Sequence, residues 1–168
     1  MRRPFLRLPA KIGLCVLAAA LIFAFLWNIT RPQIAVIAED GLLASCPAEP
    51  GTEFSTRFIH SVQKTPVEEF FTVNETLDGF ILLRTRYQSF GVGLPFLPTD
   101  GSFRRDGDAF VMDGMNRLMP EIQIRPGLST DLKITLPEQE ILLADRVPIG
   151  SLVRVAIVPK WRLALNIL

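Results

Sequence analysis

Residues 54–73 read Phe-Ser-Thr-Arg-Phe-Ile-His-Ser-Val-Gln-Lys-Thr-Pro-Val-Glu-Glu-Phe-Phe-Thr-Val. Apolar and polar side chains alternate on both sides of a polar centre, which is the pattern of a β-hairpin whose arms each have one mainly apolar face. The stretch contains His60, the single histidine of the chain. It therefore predicts antiparallel β-structure and limits any histidine chemistry to one imidazole.

The turn of this hairpin is predicted at Gln63-Lys64-Thr65-Pro66. Pro66 suits the end of this turn, because proline has no amide hydrogen to donate and is tolerated where a strand begins. With this four-residue connection, antiparallel register places His60 opposite Glu69 on the apolar face. We favour a structural pair that sets the register, because buried polar groups need hydrogen-bond partners. A binding or proton-sensing role for His60 is the alternative.

An uncharged apolar segment, residues 12–29, precedes the hairpin. As a helix it would span about 27 Å, close to the thickness of a bilayer core. Four basic residues lie within residues 1–11 and only Arg31 follows closely, so the positive-inside rule predicts a cytoplasmic N-terminus and an exported bulk. Residues 27–31 lack the small side chains of a cleavage site, so we expect a retained single-pass anchor, or uncleaved signal, followed by a β-domain over residues 33–168.

Composition excludes several classes of function. Cys15 lies in the apolar segment and Cys46 stands alone beyond it, so no disulfide can form within the exported domain. Leu43-Ala44-Ser45-Cys46 fits a lipoprotein cleavage box but lies too far from the apolar segment, and we treat the match as coincidental. The chain beyond residue 11 contains 14 of the 18 basic residues and all 17 acidic ones, so its net charge is slightly negative. This balance argues against nucleic-acid binding.

Short apolar runs recur at roughly ten-residue intervals, separated by Pro, Gly and Asp, and have the length of strands. The predicted strands are residues 33–38, 42–46, 53–62, 67–73, 80–87, 102–104, 109–112, 121–124, 132–136, 140–144 and 152–158. Residues 161–167 also alternate like a strand. Asp106-Gly107 and Arg125-Pro126-Gly127 predict tight turns. We therefore expect an all-β fold, an antiparallel β-sandwich or partly closed barrel, preceded by one N-terminal transmembrane helix.

The candidate chemistry is limited. One histidine cannot build a two-His or three-His zinc site, and the cysteines and acids show no ligand spacing, so we expect no metal. Adjacent residues of a strand, such as His60 and Ser61, point to opposite faces, which argues against a catalytic triad. We expect no cofactor and no enzymatic activity. Lys64 and Thr65 at the hairpin tip are candidates for binding an anion or a partner.

A second informative stretch, residues 87–98, reads Tyr-Gln-Ser-Phe-Gly-Val-Gly-Leu-Pro-Phe-Leu-Pro and carries a strand into an apolar loop. Gly91 and Gly93 would let a ligand or partner approach the backbone. Residue 96 is phenylalanine, so the nucleotide-binding pattern Gly-x-Gly-x-x-Gly is absent. We expect this loop to pack on the core or to dock on another protein.

Two motifs together carry a resemblance: Ile59-His60-Ser61-Val62-Gln63-Lys64-Thr65-Pro66-Val67-Glu68-Glu69 and Ser89-Phe90-Gly91-Val92-Gly93-Leu94-Pro95. The chain resembles an uncharacterised bacterial domain-of-unknown-function family (eighteen-fifty) of small membrane-anchored proteins. Its members are often encoded beside tripartite ATP-independent periplasmic (TRAP) transporters of the TAXI type. They commonly have Gly-Ala-Gly where this chain has Gly91-Val92-Gly93.

The resemblance implies a location and a neighbourhood, and no reaction. It implies a protein of the bacterial inner membrane whose periplasmic domain assists organic-anion uptake, with a TRAP membrane subunit or its solute-binding protein as partner. The alternative is a periplasmic domain that binds an organic anion itself, through His60, Lys64 and Glu69 in a deep pocket. The candidate positions are His60, Ser61, Lys64, Thr65, Pro66, Glu69, Gly91, Gly93 and Pro95.

Overall fold

The computed structural model describes residues 7–89, 94–95 and 97–167. It begins with a long helix, α1, at Arg7–Thr30. Within α1, Ile12–Thr30 is long and apolar enough to cross a membrane, and its side chains are not buried against the rest of the chain. The helix extends beyond the predicted anchor at both ends, and residues 1–6 of the predicted basic N-terminus lie outside the described residues.

The described chain continues as strands with two short helices. The strands are β1 Pro32–Ala38, β2 Gly41–Pro47, β3 Glu53–Ile59, β4 Pro66–Val73, β5 Phe80–Tyr87, β6 Ser102–Asp106, β7 Ala109–Met119, β8 Ile122–Ile124, β9 Lys133–Leu136, β10 Gln139–Leu142 and β11 Val153–Pro159. A 3-10 helix at Leu143–Asp145 follows β10, and α2, Lys160–Ala164, follows β11.

In the described residues these strands form two antiparallel sheets. The small sheet has the order β2-β1-β11-β8, and the large sheet has the order β10-β9-β3-β4-β5-β7-β6. Apolar side chains from both sheets meet in one buried cluster. The prediction of an antiparallel β-sandwich preceded by an apolar helix is confirmed.

Aromatic rings fill the centre of the large sheet's inner face. Phe54 stacks on its cross-strand partner Phe71 with ring centroids 5.1 Å apart, and it meets Phe80 edge-on at 4.9 Å. Ile34 and Val155 of the small sheet belong to the same buried cluster. Burying each such side chain contributes about 1.5–3 kcal/mol, so this contact holds the two sheets together.

Cys46 is part of this core. It lies opposite Ile34 in the small sheet and is buried. Burial raises the pKa of its thiol, and the negative charge of Glu138 acts in the same direction. A buried strand residue of this kind agrees with treating the resemblance of Leu43–Cys46 to a lipoprotein box as coincidental.

The prediction of a strand at residues 161–167 is wrong, because α2 lies there. The reason is the burial of β1, whose residues from Gln33 to Ala38 are all buried, so both of its faces need cover. One face meets the large sheet, and on the other Ala35, Ile37 and Val158 pack with Leu163 of α2. The apolar residues that alternate in this segment therefore form a short helix that folds back and covers the second face of the small sheet.

Several predicted strand ends also shift, as at β7 and β10. Strand β7 extends to Met119 instead of ending at Met112, because Gly114 and Asn116, with φ values of 68° and 46°, interrupt the alternation from which its length is predicted. Strand β10 ends at Leu142, where the 3-10 helix begins.

The sandwich has a junction end, next to α1, and a far end. Arg31 alone separates α1 from β1. Leu77, in the loop after β4, lines a groove together with Trp27 and Arg31, so the last residues of β4 lie at the junction end. The first residue of β4, Pro66, lies at the far end, about 23 Å away for a strand of this length.

Candidate functional site

The β3–β4 hairpin differs from its predicted register. Thr56 lies opposite Glu69, and the backbone N–H of His60 donates to the carbonyl of Thr65 at 2.9 Å. His60 and Glu69 are therefore separated by four residues along β4, about 13 Å, and the predicted pair is wrong. The prediction of which side chains share a face is right: the even-numbered residues of β3 and the odd-numbered residues of β4 lie on the inner face.

A turn of the predicted length that begins two residues earlier causes the change of register. The loop consists of residues 61–64, two positions earlier than predicted, and the backbone N–H of Lys64 donates to the His60 carbonyl at 2.9 Å. Lys64 closes the loop with φ 55°, a left-handed conformation that suits glycine or asparagine better than lysine. Pro66, predicted as the last residue of the turn, is the first residue of β4.

His60 holds this loop through its own side chain. Its Nδ1 atom accepts hydrogen bonds from the backbone N–H groups of Val62 and Gln63, each at 3.2 Å. The imidazole thus acts as aspartate and asparagine do in turns, by accepting from the backbone two and three residues ahead. These two bonds place Nδ1 of the ring against the loop backbone.

Thr56 fills the register-setting role that we predicted for His60. Its hydroxyl donates to Oε2 of Glu69 at 3.1 Å, and Thr56 itself is buried. Burial raises the pKa of the Glu69 carboxyl, while the Thr56 hydrogen bond and the charge of Arg117 act against that rise. The sequence analysis did not identify Thr56, although the alternation of apolar and polar residues placed it on the same face as Glu69.

The two motifs meet at the far end of the sandwich. The hydroxyl oxygens of Thr65, in the hairpin, and Ser89, just after β5, lie 2.9 Å apart. The Tyr87 hydroxyl donates to the carbonyl of Pro95 at 2.5 Å, which ties the described part of the second motif back to β5. Gly91 and Gly93 lie outside the described residues.

Tyr87 is a buried residue that anchors this loop. Its side chain is only 1% exposed, and its ring lies 5.9 Å from that of Phe110. Burial raises the pKa of Tyr87, and the charge of Asp100 adds to the effect, so the phenol stays protonated and able to donate. The loop contact at Pro95 is therefore held by a hydrogen bond from a buried tyrosine.

Exposed apolar side chains accompany the two motifs. Val62 at the hairpin tip is 74% exposed, and Leu128, in the loop before β9, is 75% exposed. The loop of Leu128 is attached to the hairpin, because the backbone N–H of Ile59 donates to the Thr130 carbonyl at 2.6 Å. We call this combined area, residues 61–65 with Ser89, Pro95 and Leu128, the hairpin–loop surface.

Two grooves formed by the described residues lie away from this surface. A groove of about 280 Å³ lies at Ile37–Gly41, and one of about 410 Å³ lies at the junction of α1 with the sandwich. Neither is lined by His60, Lys64 or Glu69. Among the described residues, no three His, Cys, Asp or Glu side chains are grouped so that they could hold a metal ion.

One comparison with known proteins gives a match. The family model described as "Domain of unknown function (DUF1850)" matches residues 54–143, more than half of the chain. The chain belongs to this family. The family region begins within β3 and ends at Leu143, so it contains nearly all of the large sheet and both motifs. No curated protein and no solved structure matches the chain.

Proposed function

We propose that the protein is a non-enzymatic accessory of a TRAP-type transporter of the TAXI class. In this proposal α1 anchors it in the bacterial inner membrane, and the β-domain stands in the periplasm. The observation that carries the proposal is the contact between Thr65 and Ser89, which joins both family motifs in one surface. A surface built from both motifs is the natural place for the function that the motifs share.

The composition of the hairpin–loop surface supports docking of a protein. Val62 and Leu128 expose most of their apolar side chains, and Lys64 lies beside Val62 at the tip. Apolar side chains surrounded by polar ones are typical of contact sites between proteins. The left-handed conformation of Lys64 costs about 1–2 kcal/mol of folding free energy relative to glycine. This cost indicates that the lysine side chain has a function.

The position of this surface favours one partner over another. It lies at the far end of the sandwich, and Arg31 is the only residue between α1 and β1. If the sandwich stands upright on α1, the surface lies about 23 Å, the length of β4, beyond the level at which α1 ends. A soluble protein resting on the membrane is within reach at that height, so we propose the transporter's solute-binding protein as the partner.

Affinity capture from cells tests the proposal. We compare the full-length protein with Val62→Asp at the hairpin tip and with Leu118→Asp, a matched exposed residue that pairs with Ile81 near the other end of the large sheet. The wild type and Leu118→Asp should recover the solute-binding protein and support solute uptake. Val62→Asp should do neither, because a buried unpaired carboxylate opposes docking. Equal recovery and uptake for all three proteins would overturn the proposal.

Direct binding of an organic anion is less well supported by the geometry. The His60 Nδ1 atom is engaged by the loop backbone, and Glu69 lies about 13 Å further along the strand, so these side chains do not converge with Lys64. This alternative stays a prediction. Calorimetry with small carboxylates on the wild type and His60→Ala would test it.

A further inference from the structure

The start of α2 is fastened to the end of α1. The backbone N–H of Lys160 donates to the Arg31 carbonyl at 2.9 Å, and the Lys160 ammonium donates to Oδ1 of Asn28 at 3.1 Å. These bonds fix two cationic residues, Arg31 and Lys160, at the point where the apolar helix ends. If α1 spans a bilayer, its apolar residues fill the hydrocarbon layer, and this point lies at the level of the lipid headgroups.

Both tryptophans of the chain lie at the same point. Trp27, in the last turn of α1, is 60% exposed. Trp161 is the second residue of α2, and the guanidinium carbon of Arg162 lies 5.6 Å from the centre of its ring. Tryptophan is enriched at membrane interfaces, because its ring is apolar and its N–H group is polar. Two tryptophans and three cations thus share one level of the molecule.

A groove of about 410 Å³ opens between these elements. Its lining includes Trp27, Asn28, Arg31 and Lys160, with Glu49 as the acidic member. The ion pairs of the described chain join other residues, so the charges of Arg31 and Lys160 are not neutralised by a carboxylate within 4.0 Å. Two cations beside a tryptophan ring match a phosphate attached to a glycerol backbone.

We propose that this groove binds the headgroup of an anionic phospholipid from the leaflet in which α1 ends. Arg31 and Lys160 contact the phosphate, Trp27 packs beside the glycerol region, and Arg162 strengthens the local positive field. The bound lipid fixes the tilt of the sandwich and so keeps the far end away from the membrane. The inference rests on the anchoring part of the proposed function and is independent of the docking surface.

Native mass spectrometry of the full chain from nanodiscs tests the proposal. The nanodiscs contain phosphatidylcholine with or without phosphatidylglycerol. The variants are Lys160→Gln, the double variant Arg31→Gln/Lys160→Gln, and the control Lys133→Gln, a lysine on β9 that pairs with Glu140. Each lost cation should weaken retention of phosphatidylglycerol about fivefold, and the control should retain it as the wild type does.

Each outcome has a distinct meaning. Equal retention of phosphatidylglycerol by the wild type and the double variant, or equal retention of both lipids by the wild type, would overturn the lipid site while leaving the anchor intact. Failure of the full chain to enter nanodiscs at all would overturn the anchor and the lipid site together. Loss of retention in the double variant with unchanged partner capture would support the site and separate it from docking.

Discussion

The hydroxyl oxygens of Thr65 and Ser89 lie 2.9 Å apart, although the two residues are 24 positions apart in the chain. The contact joins the turn of one hairpin to the loop that follows the neighbouring strand. It therefore makes the two sequence motifs parts of a single surface.

Thr65 and Ser89 should be energetically coupled. Thr65→Val and Ser89→Ala each remove one hydrogen bond, and each should lower the free energy of unfolding by about 1 kcal/mol. Because both substitutions remove the same bond, the double variant should lose less than the sum of the two. Chemical unfolding of the four proteins in detergent measures this coupling, and strictly additive losses would contradict it.

Lys64 should lower the stability of the fold while contributing to capture of the partner. Replacing it by glycine relieves a left-handed backbone at φ 55°, so Lys64→Gly should raise the free energy of unfolding by about 1 kcal/mol. The same variant should capture less solute-binding protein. Lys64→Ala serves as the control, since it removes the ammonium but keeps the strain and should therefore lose capture without the gain. A glycine variant less stable than the wild type would refute the assigned loop conformation.

His60 should be replaceable by a residue that caps turns. In His60→Ala the amides of Val62 and Gln63 lose their acceptor, which should cost about 1 kcal/mol. His60→Asn should recover most of that loss, because an asparagine side chain accepts from the same backbone positions. Thermal unfolding of the three proteins distinguishes this cap from a role that needs an imidazole, in which asparagine would rescue nothing.

Glu69 should make stability depend on pH. Its pKa in the folded chain is raised by burial above the ordinary carboxyl value of about 4.3, so the protonated form is favoured on folding. Its stabilising contribution is thus complete below that ordinary value and is lost as the pH rises through the folded pKa. The stability of Glu69→Gln relative to the wild type should therefore increase as the pH rises from about 4.3 through the folded pKa of Glu69. A constant difference in unfolding free energy over this range would be the contrary result.

Thr56 should support Glu69 once that carboxyl is ionised. Thr56→Val removes the hydroxyl that donates to Oε2 of Glu69 and should cost about 2 kcal/mol above the folded pKa of Glu69, because hydrogen bonds to charged groups are the stronger ones. The loss should be smaller in acid, where the carboxyl is protonated. Urea unfolding at both pH values provides the measurement, and Thr72→Val, on the outer face of β4, provides a matched control.

Periodicity predicted the sheet faces of the hairpin but not its turn. Alternation placed Thr56 and Glu69 on the inner face, which is correct. It also carried the first arm on to Val62, because an exposed apolar residue at a loop tip continues the pattern of a strand. The bonds from His60 to the loop backbone then decided where the chain turns, and such bonds leave no mark in a hydrophobic pattern.

Contacts between distant segments could not be predicted from local pattern. The strand predicted at residues 161–167 became helix α2 because β1 needed cover on its second face, which depends on how the sheets stack. The junction groove depends on the bond between Lys160 and Asn28, 132 positions apart. Leu128 joined the hairpin–loop surface only because Thr130 binds the end of β3.

Photo-crosslinking in cells tests docking through the hairpin–loop surface most directly. A photoreactive side chain replaces Val62 in one protein and Leu118, near the other end of the large sheet, in a second. If the surface docks the transporter's solute-binding protein, the probe at position 62 should give a covalent adduct with it and the probe at position 118 should not. Equal labelling from both positions, or no adduct of position 62 with any transporter component, would contradict the proposed function.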